Sequence, residues 1–208
     1  MFTPIKNYCD RLLAEFSFIP DERKELLGKI AAYISAKQLK HEPVNLIYIC
    51  THNSRRSHFG QVWSTVAAHY FKTQNVRAFS GGTEVSAFNV NAINALKRNG
   101  FNITAERTEK NPVYSVFYAG DEPPVPCFSK IYNDTENPTE KFAAIMTCSE
   151  AEENCPFIPA AELRIATTYE DPKAFDKTPL QDSVYDSRCK QIALETFYAF
   201  SLVIPELQ

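Results

Sequence analysis

Neither sign of charge dominates this chain. Its 22 lysines and arginines stand against 25 aspartates and glutamates, a formal net charge of −3, which excludes nucleic acid and an anionic membrane as main partners and makes any anion site local. Long hydrophobic runs are equally lacking: no stretch approaches the roughly 18 consecutive apolar residues of a membrane span. The opening MFTPIKNYCDRLLAEF has neither the basic n-region nor the continuous apolar h-region of a secretory signal, so the expected location is the cytoplasm. Internal repeats, low-complexity tracts and linkers are also missing. What is there is a globular composition, 208 residues with 44% hydrophobic and 23% charged, enough for one domain with a sizeable core. Six cysteines in a chain of this length do not resemble a secreted disulfide scaffold. Reduced thiols are expected, and a close pair of them points to metal or redox chemistry.

Apolar residues at helical spacing predict helices over 8–18 and 21–40, punctuated by Pro20 and Asp21. VNLIYIC (44–50) reads as a buried strand, 57–72 as a helix opened by Ser57, and NVRAFSGG (75–82) as a strand closing on Gly81 and Gly82. SAFNVNAINALKRNG (86–100) reads as a helix stopped by Asn99 and Gly100. Residues 101–138, with YSVFYAG and the proline-rich DEPPVPC, suggest a short hairpin or a long excursion beside the site. KFAAIMTC (141–148) and LRIATT (163–168) are strands, and 183–203 is a terminal helix with Ile192, Leu194, Phe197 and Phe200 among its apolar positions. Buried strands alternating with helices imply an α/β protein with a parallel sheet covered on both faces.

Chemistry concentrates in IYICTHNSRRSHFGQVW (48–64). A strand that turns directly into a helix leaves backbone N–H groups pointing into the turn, where they can surround a tetrahedral oxyanion. Cys50 stands at the start of that turn, where these groups, the helix end and a guanidinium suit a thiolate, the form that attacks. Arg56, six positions on, can hold two oxygens of the anion with its planar fork. Ser57 can donate to the sulfur and make it a better leaving group. Read alone, Cys50 is equally consistent with a buried inert thiol, and Arg55 and Arg56 with solvent-facing charges.

CTHNSRRS (50–57) is similar to the phosphate-binding loop of the low-molecular-weight protein tyrosine phosphatases and of the thioredoxin-coupled arsenate reductases that share their fold. The resemblance extends through FSGGTEVSAFNVNAINALKRNGFNI, FAAIMTCSEAEENCP and TTYEDPKAF, covering roughly residues 44–203 apart from an unmatched excursion near 112–133. It implies a four-stranded parallel sheet flanked by helices as a catalytic domain (44–208), with residues 1–43 as an N-terminal helical extension packed on it. It implies Cys50 as nucleophile, Arg56 as oxyanion clamp, Asn53 as the residue holding the loop's shape and Ser57 as thiolate partner. Thr51, His52, Ser54 and Arg55 complete the cradle. His52 and Arg55 depart from the small residues common in the family.

Expulsion of an oxygen needs a proton, so an acid should lie across the anion from Cys50. Asp171, its backbone fixed by Pro172, stands where the family carries its general acid, and Glu170 is the adjacent competitor. Cys148 and Cys155 match the spacing of the arsenate reductases. There the resemblance implies that Cys50 attacks arsenate, Cys148 releases arsenite, and Cys155 resolves the Cys50–Cys148 disulfide for thioredoxin to reduce. The alternatives are phosphomonoester hydrolysis through a phosphocysteine, and an oxyanion-binding module without turnover. Lys173 and Ala174 depart from the aromatic residues that the phosphatases place after Asp-Pro, although Phe175 can partly substitute.

The expected ligands are arsenate, phosphate or a phosphomonoester, the expected protein partner is thioredoxin, and the N-terminal helices are a candidate dimer surface. No metal or cofactor is expected. Cys148 and Cys155 lack a zinc knuckle, the four histidines form no ligand pattern, and Gln61 stands where some arsenate reductases carry a glutamate near potassium. Trp63 is expected to pack the first catalytic-domain helix onto the sheet. Cys9 and Cys189 read as helix-packing thiols, Cys127 as a thiol of the excursion, and Glu150, Glu152 and Glu153 as a solvated face.

Overall fold

The computed structural model describes residues 1–105, 110–154 and 157–204. Its centre is strand β1 (Val44–Cys50), paired in parallel with β2 (Val76–Gly82) on one side and β6 (Phe142–Met146) on the other. Strand β7 (Ala161–Ala166) extends the sheet, giving the order β2-β1-β6-β7. Strands buried on both faces read as unbroken apolar runs, as VNLIYIC and FAAIM do. Successive side chains still divide between the faces: Leu46 and Tyr48 enter the larger core, Ile47 and Ile49 the smaller one behind the sheet.

Helices flank this four-stranded parallel sheet unequally. Helices α1 (Thr3–Leu13), α2 (Asp21–Gln38), α3 (Arg56–Tyr70), α4 (Val90–Arg98) and α6 (Gln181–Ser201) all feed the larger core, through Ile5, Leu27, Val62, Ile93 and Phe197 among others. Behind the sheet the short α5 (Ser149–Asn154) supplies Ala151, joined by Ile158 and the partly buried Tyr132. No helix among the described residues is long and apolar enough to cross a membrane.

The first helix begins at Thr3 rather than residue 8. Pro4 sits in its first turn, where a missing N–H costs nothing. It stops at Leu13, and a separate 3-10 turn covers Phe16–Phe18. Trp63 is fully buried in the larger core: its ring stacks on Tyr8 of α1, meets Phe101 and Phe197 edge-on, and donates its indole N–H to Cys189 Sγ at 3.2 Å. The added N-terminal helices give α3 a second apolar face, and the large ring fills it.

The excursion forms a three-stranded antiparallel sheet, β3 (Asn102–Ala105), β4 (Tyr114–Phe117) and β5 (Val125–Cys127), in the order β3-β4-β5. Its return is stitched back by paired Asn111–Ser129 hydrogen bonds of 2.8 and 3.1 Å and by a parallel bridge between Gly82 and Ile131. The segment after β5 thereby reaches the end of β2 and the turn that follows β1.

Helix α2 is tied to the carboxyl end of the sheet by charge. Arg23 forms a two-pronged ion pair with the buried Glu195 of α6 and donates to the Thr167 carbonyl at 3.1 Å. Glu195 also accepts the Tyr169 hydroxyl at 2.9 Å, and burial together with that carboxylate holds the Tyr169 phenol well above its usual range. Removing one partner of a buried pair strands the other charge. Arg23→Ala should therefore destabilise the protein by about 3 kcal/mol, read from chemical unfolding, whereas Lys6→Ala at an exposed pair should change stability by less than about 1 kcal/mol.

Candidate active site

Cys50 is 3% exposed at the end of β1, and residues 51–55 form the turn into α3. That turn depends on Asn53, whose backbone is left-handed at φ 43, a conformation asparagine tolerates better than most residues. Asn53 Oδ1 accepts the Lys130 N–H at 2.9 Å, and Nδ2 donates to Ser57 Oγ at 2.9 Å. With its oxygen already accepting, the Ser57 hydroxyl has its own proton for Cys50 Sγ, 3.2 Å away. Ser57 thus meets the sulfur as expected, and it stands one residue inside the helix rather than opening it. Helix α3 starts at Arg56, with Arg55 as its N-cap residue and no side-chain cap. The N–H groups of residues 52–57 find no acceptor among the described residues, the donor set that an oxyanion cradle needs.

Neighbouring segments hold the turn from three sides. The Thr83 and Glu84 N–H groups donate to the Cys50 and Thr51 carbonyls at 3.2 and 2.8 Å. Ser54 Oγ donates to the Ala87 carbonyl at 2.6 Å, and Ser129 Oγ to the His52 carbonyl at 2.8 Å. Gly82 is required by close approach: a Cβ there would lie 2.6 Å from the Thr51 oxygen and 2.8 Å from the Asn53 nitrogen. The His52 side chain is 44% exposed, with Nε2 3.4 Å from a Glu84 carboxylate oxygen.

The two arginines divide their work. Arg56 donates to the Tyr169 carbonyl and to Asp171 Oδ2, each at 2.7 Å, and its Nε is buried with no partner among the described residues. Asp171 caps the 3-10 turn at Pro172–Phe175 through its other oxygen, 2.9 Å from the Lys173 N–H. Its competitor Glu170 has a 94% exposed side chain and reaches Arg188 at 3.6 Å. Arg55, the departure from the family loop, donates to the Tyr185 hydroxyl at 2.8 Å and approaches Asp176 at 3.5 Å. Asp176 also accepts from Tyr185 at 2.7 Å and from Asn91 at 3.1 Å. Arg55 therefore latches the acid-bearing segment to α4 and α6.

Cys148, 1% exposed, follows β6 and meets the Cys50 turn on its other flank. Thr51 Oγ1 donates to Glu150 at 3.0 Å, which leaves it as acceptor for the Cys148 thiol at 3.4 Å. The sulfur receives the Ala151 N–H at 3.3 Å. Cys155 lies outside the described residues. The acidic face around it is not simply solvated, since Glu150 holds Thr51 and Glu152 pairs with Arg164 at 3.1 Å. Burial pushes Cys9, Cys127 and Cys189 up to about 12, consistent with packing roles. Among the described residues, no group of three or more His, Cys, Asp or Glu is placed to hold a metal ion.

Several contributors carried no local signal in the sequence. Tyr169 acts through its carbonyl, Asp176 and Tyr185 through Arg55, and Lys130 through its backbone N–H. His58, one position past Ser57, is fully buried. Its Nδ1 lies 3.2 Å from Ser80 Oγ, which donates to Gln61 Oε1 at 2.6 Å. Burial, aided by the Lys130 charge, lowers its pKa to about 3, so it packs beneath the turn as a neutral ring.

No protein-family model and no curated protein matches this sequence. Among solved structures, a low-molecular-weight phosphotyrosine phosphatase of Vibrio cholerae aligns with 74% of this chain and 92% of its own, at 11% identity and a TM-score of 0.51. An arsenate reductase of Archaeoglobus fulgidus aligns over 75% and 98%, at 13% identity and a TM-score of 0.50. A cysteine-to-serine variant of the YwlE arginine phosphatase, phosphorylated on its active-site serine, aligns over 76% and 93%, at 11% identity and a TM-score of 0.51. The chain has the fold of the low-molecular-weight protein tyrosine phosphatases and of the arsenate reductases related to them.

Gly82→Ala should push the end of β2 against the turn and abolish inorganic phosphate binding by calorimetry while the far-ultraviolet dichroism is retained. His58 generates a pH prediction. Its folded pKa lies below the unfolded value of 6.5, so the unfolded chain binds the extra proton and stability falls as pH drops from 6.5 towards 3. That loss has a slope of up to about 1.4 kcal/mol per pH unit. His58→Gln should remove this share of the slope, measured by urea unfolding at pH 7, 5.5 and 4.5.

Proposed function

We propose that this chain is a thiol-dependent enzyme acting on a tetrahedral oxyanion, and that its reaction is the reduction of arsenate to arsenite by a cysteine relay. The catalytic unit is residues 44–208, buttressed by the helical extension 1–43. The observation that carries the reading is Cys148, whose sulfur lies 3.4 Å from Thr51 Oγ1, one residue beyond the nucleophile. A phosphatase has no use for that second thiol.

The oxyanion enters the cradle of residues 51–57 and draws Arg56 from Asp171 onto two of its oxygens. The carboxylate so released takes up a proton. The Cys50 thiolate attacks arsenic, and one oxygen leaves as water with the proton from Asp171. Cys148, as a thiolate, then attacks the Cys50 sulfur. The electron pair of the sulfur–arsenic bond departs with arsenic, reducing it from the pentavalent to the trivalent state, while the two thiols are oxidised to a disulfide. Cys155 attacks the Cys148 sulfur, returns Cys50 to thiolate and leaves a Cys148–Cys155 disulfide for a thioredoxin-type dithiol to reduce. The last steps require α5 to shift, and only six residues long, it can move without dismantling the sheet.

A second reading is favoured by the Arg56–Asp171 pair, which equips the same site to hydrolyse phosphomonoesters through a phosphocysteine. Arsenite formation from arsenate, with thioredoxin, its reductase and NADPH, separates the two. Cys50→Ser should abolish both arsenite formation and p-nitrophenyl phosphate hydrolysis, whereas Cys148→Ser should abolish only the former. Absence of arsenite, with ester hydrolysis that needs Cys50 alone, would assign the chain to the phosphatases. Asp171→Asn should slow hydrolysis of an alkyl phosphate, a poor leaving group, by about 10²–10⁴-fold and that of p-nitrophenyl phosphate by less.

A further inference from the structure

A cavity of about 420 Å³ lies on the outer side of β2, walled by Val76–Phe79, by Tyr118 and by the 123–128 segment, with Gln61 and Thr65 of α3 at its inner side. This is within the volume range of small-molecule sites. Its walls are apolar and flat: Phe79, Tyr118, Phe128 and Pro123, Pro124 and Pro126. One charged side chain is built into it. Lys130 is 4% exposed and lines the cavity, its ammonium 4.3 Å above the centre of the Phe128 ring. That ammonium makes no hydrogen bond or ion pair among the described residues. Burial lowers its pKa against the opposing pull of Asp134 and Glu136, neither of which reaches ion-pair distance. Arg77 and Glu136, both exposed, stand at the rim.

We propose that this cavity is a binding site for a small molecule with a flat apolar body and a single carboxylate, the carboxylate pairing with Lys130 and the body lying against Phe79, Tyr118 and the proline wall. Aromatic and proline surfaces accept a ring face, and a buried ammonium that no described carboxylate pairs supplies the polar group that orients it. The site is joined to the nucleophile turn by the same residue. The Lys130 N–H donates to Asn53 Oδ1 at 2.9 Å, its carbonyl accepts the Gly82 N–H at 2.8 Å, and the preceding Ser129 holds the His52 carbonyl. Occupancy of the cavity therefore biases the turn that carries Cys50. This second part rests on the reading of that turn as an oxyanion site; the binding site itself does not.

Calorimetric titration with benzoate, and with benzamide as the neutral analogue, tests the proposal on the full chain. Benzoate should bind and benzamide should bind at least tenfold more weakly. Lys130→Met, which removes the charge and keeps the length, should weaken benzoate at least tenfold without lowering the melting temperature. Thr65→Trp, which fills the cavity from α3 and leaves Lys130 intact, should do the same and stands in if Lys130→Met fails to fold. Saturating benzoate should change the affinity for inorganic phosphate at least threefold, with the same factor in the reverse titration. No benzoate binding, binding insensitive to both substitutions, or simple competition with phosphate would overturn the site. Lys130-dependent binding in a protein that takes no oxyanion would leave the site standing and fail the reading of the Cys50 turn instead.

Discussion

The left-handed backbone at Asn53 is the constraint on which the rest of the site depends. At φ 43 the turn between β1 and α3 is tight enough for its N–H groups to remain uncommitted, and the side chain of the same residue locks both ends of it. Its amide oxygen accepts the Lys130 N–H from the excursion, and its amide nitrogen donates inward to Ser57, whose proton is thereby directed to Cys50. An unsatisfied donor set is costly in a buried turn. The cost is borne by the neighbours: the end of β2, the Ser129–Lys130 segment and the approach to α4 each anchor a carbonyl or side chain of the turn. The Cys50 turn is thus a product of the whole carboxyl edge of the sheet.

Charge organises the opposite wall. Adjacent arginines leave the same helix start with different tasks, because the chain turns between them. Arg56 points across to Asp171 and the Tyr169 carbonyl, while Arg55 is taken up by Tyr185 and Asp176 and stands 3.9 Å from the other oxygen of Asp171. Behind Tyr169 stands Glu195, and behind Glu195 stands Arg23 of the second helix. The N-terminal helices are therefore part of the chain of contacts that sets the height of the acid-bearing segment, two residues from the backbone carbonyl that Arg56 grips. This gives the extension a structural reason independent of any partner.

The fold was legible because its determinants are local. Buried parallel strands appear as apolar runs, helix α4 is stopped where Asn99 and the positive-φ Gly100 stand, and Cys50, Arg56 and Ser57 belong to one continuous segment whose spacing survives without knowledge of the rest. The misread elements share a different property. Ser57 resembles the residue that opens a helix, but the turn closes one residue earlier and the helix begins at Arg56. The excursion gave no periodic pattern because its strands are of three or four residues, too short for alternation to register.

The sequence by itself determined the α/β class and the strand–turn–helix carrying Cys50, since both follow from residue type and short-range spacing, whereas the candidacy of Asp171 and Cys148 came from the family resemblance of the segments that carry them. Tertiary structure alone decided which carboxylate meets Arg56, where Arg55 points, that Cys148 lies against Thr51, and that Lys130 faces a cavity with its side chain and the nucleophile turn with its backbone. Those are pairings between residues tens of positions apart. Their energies depend on distance and on exclusion of water, which exist only once the sheet has brought its strand ends together.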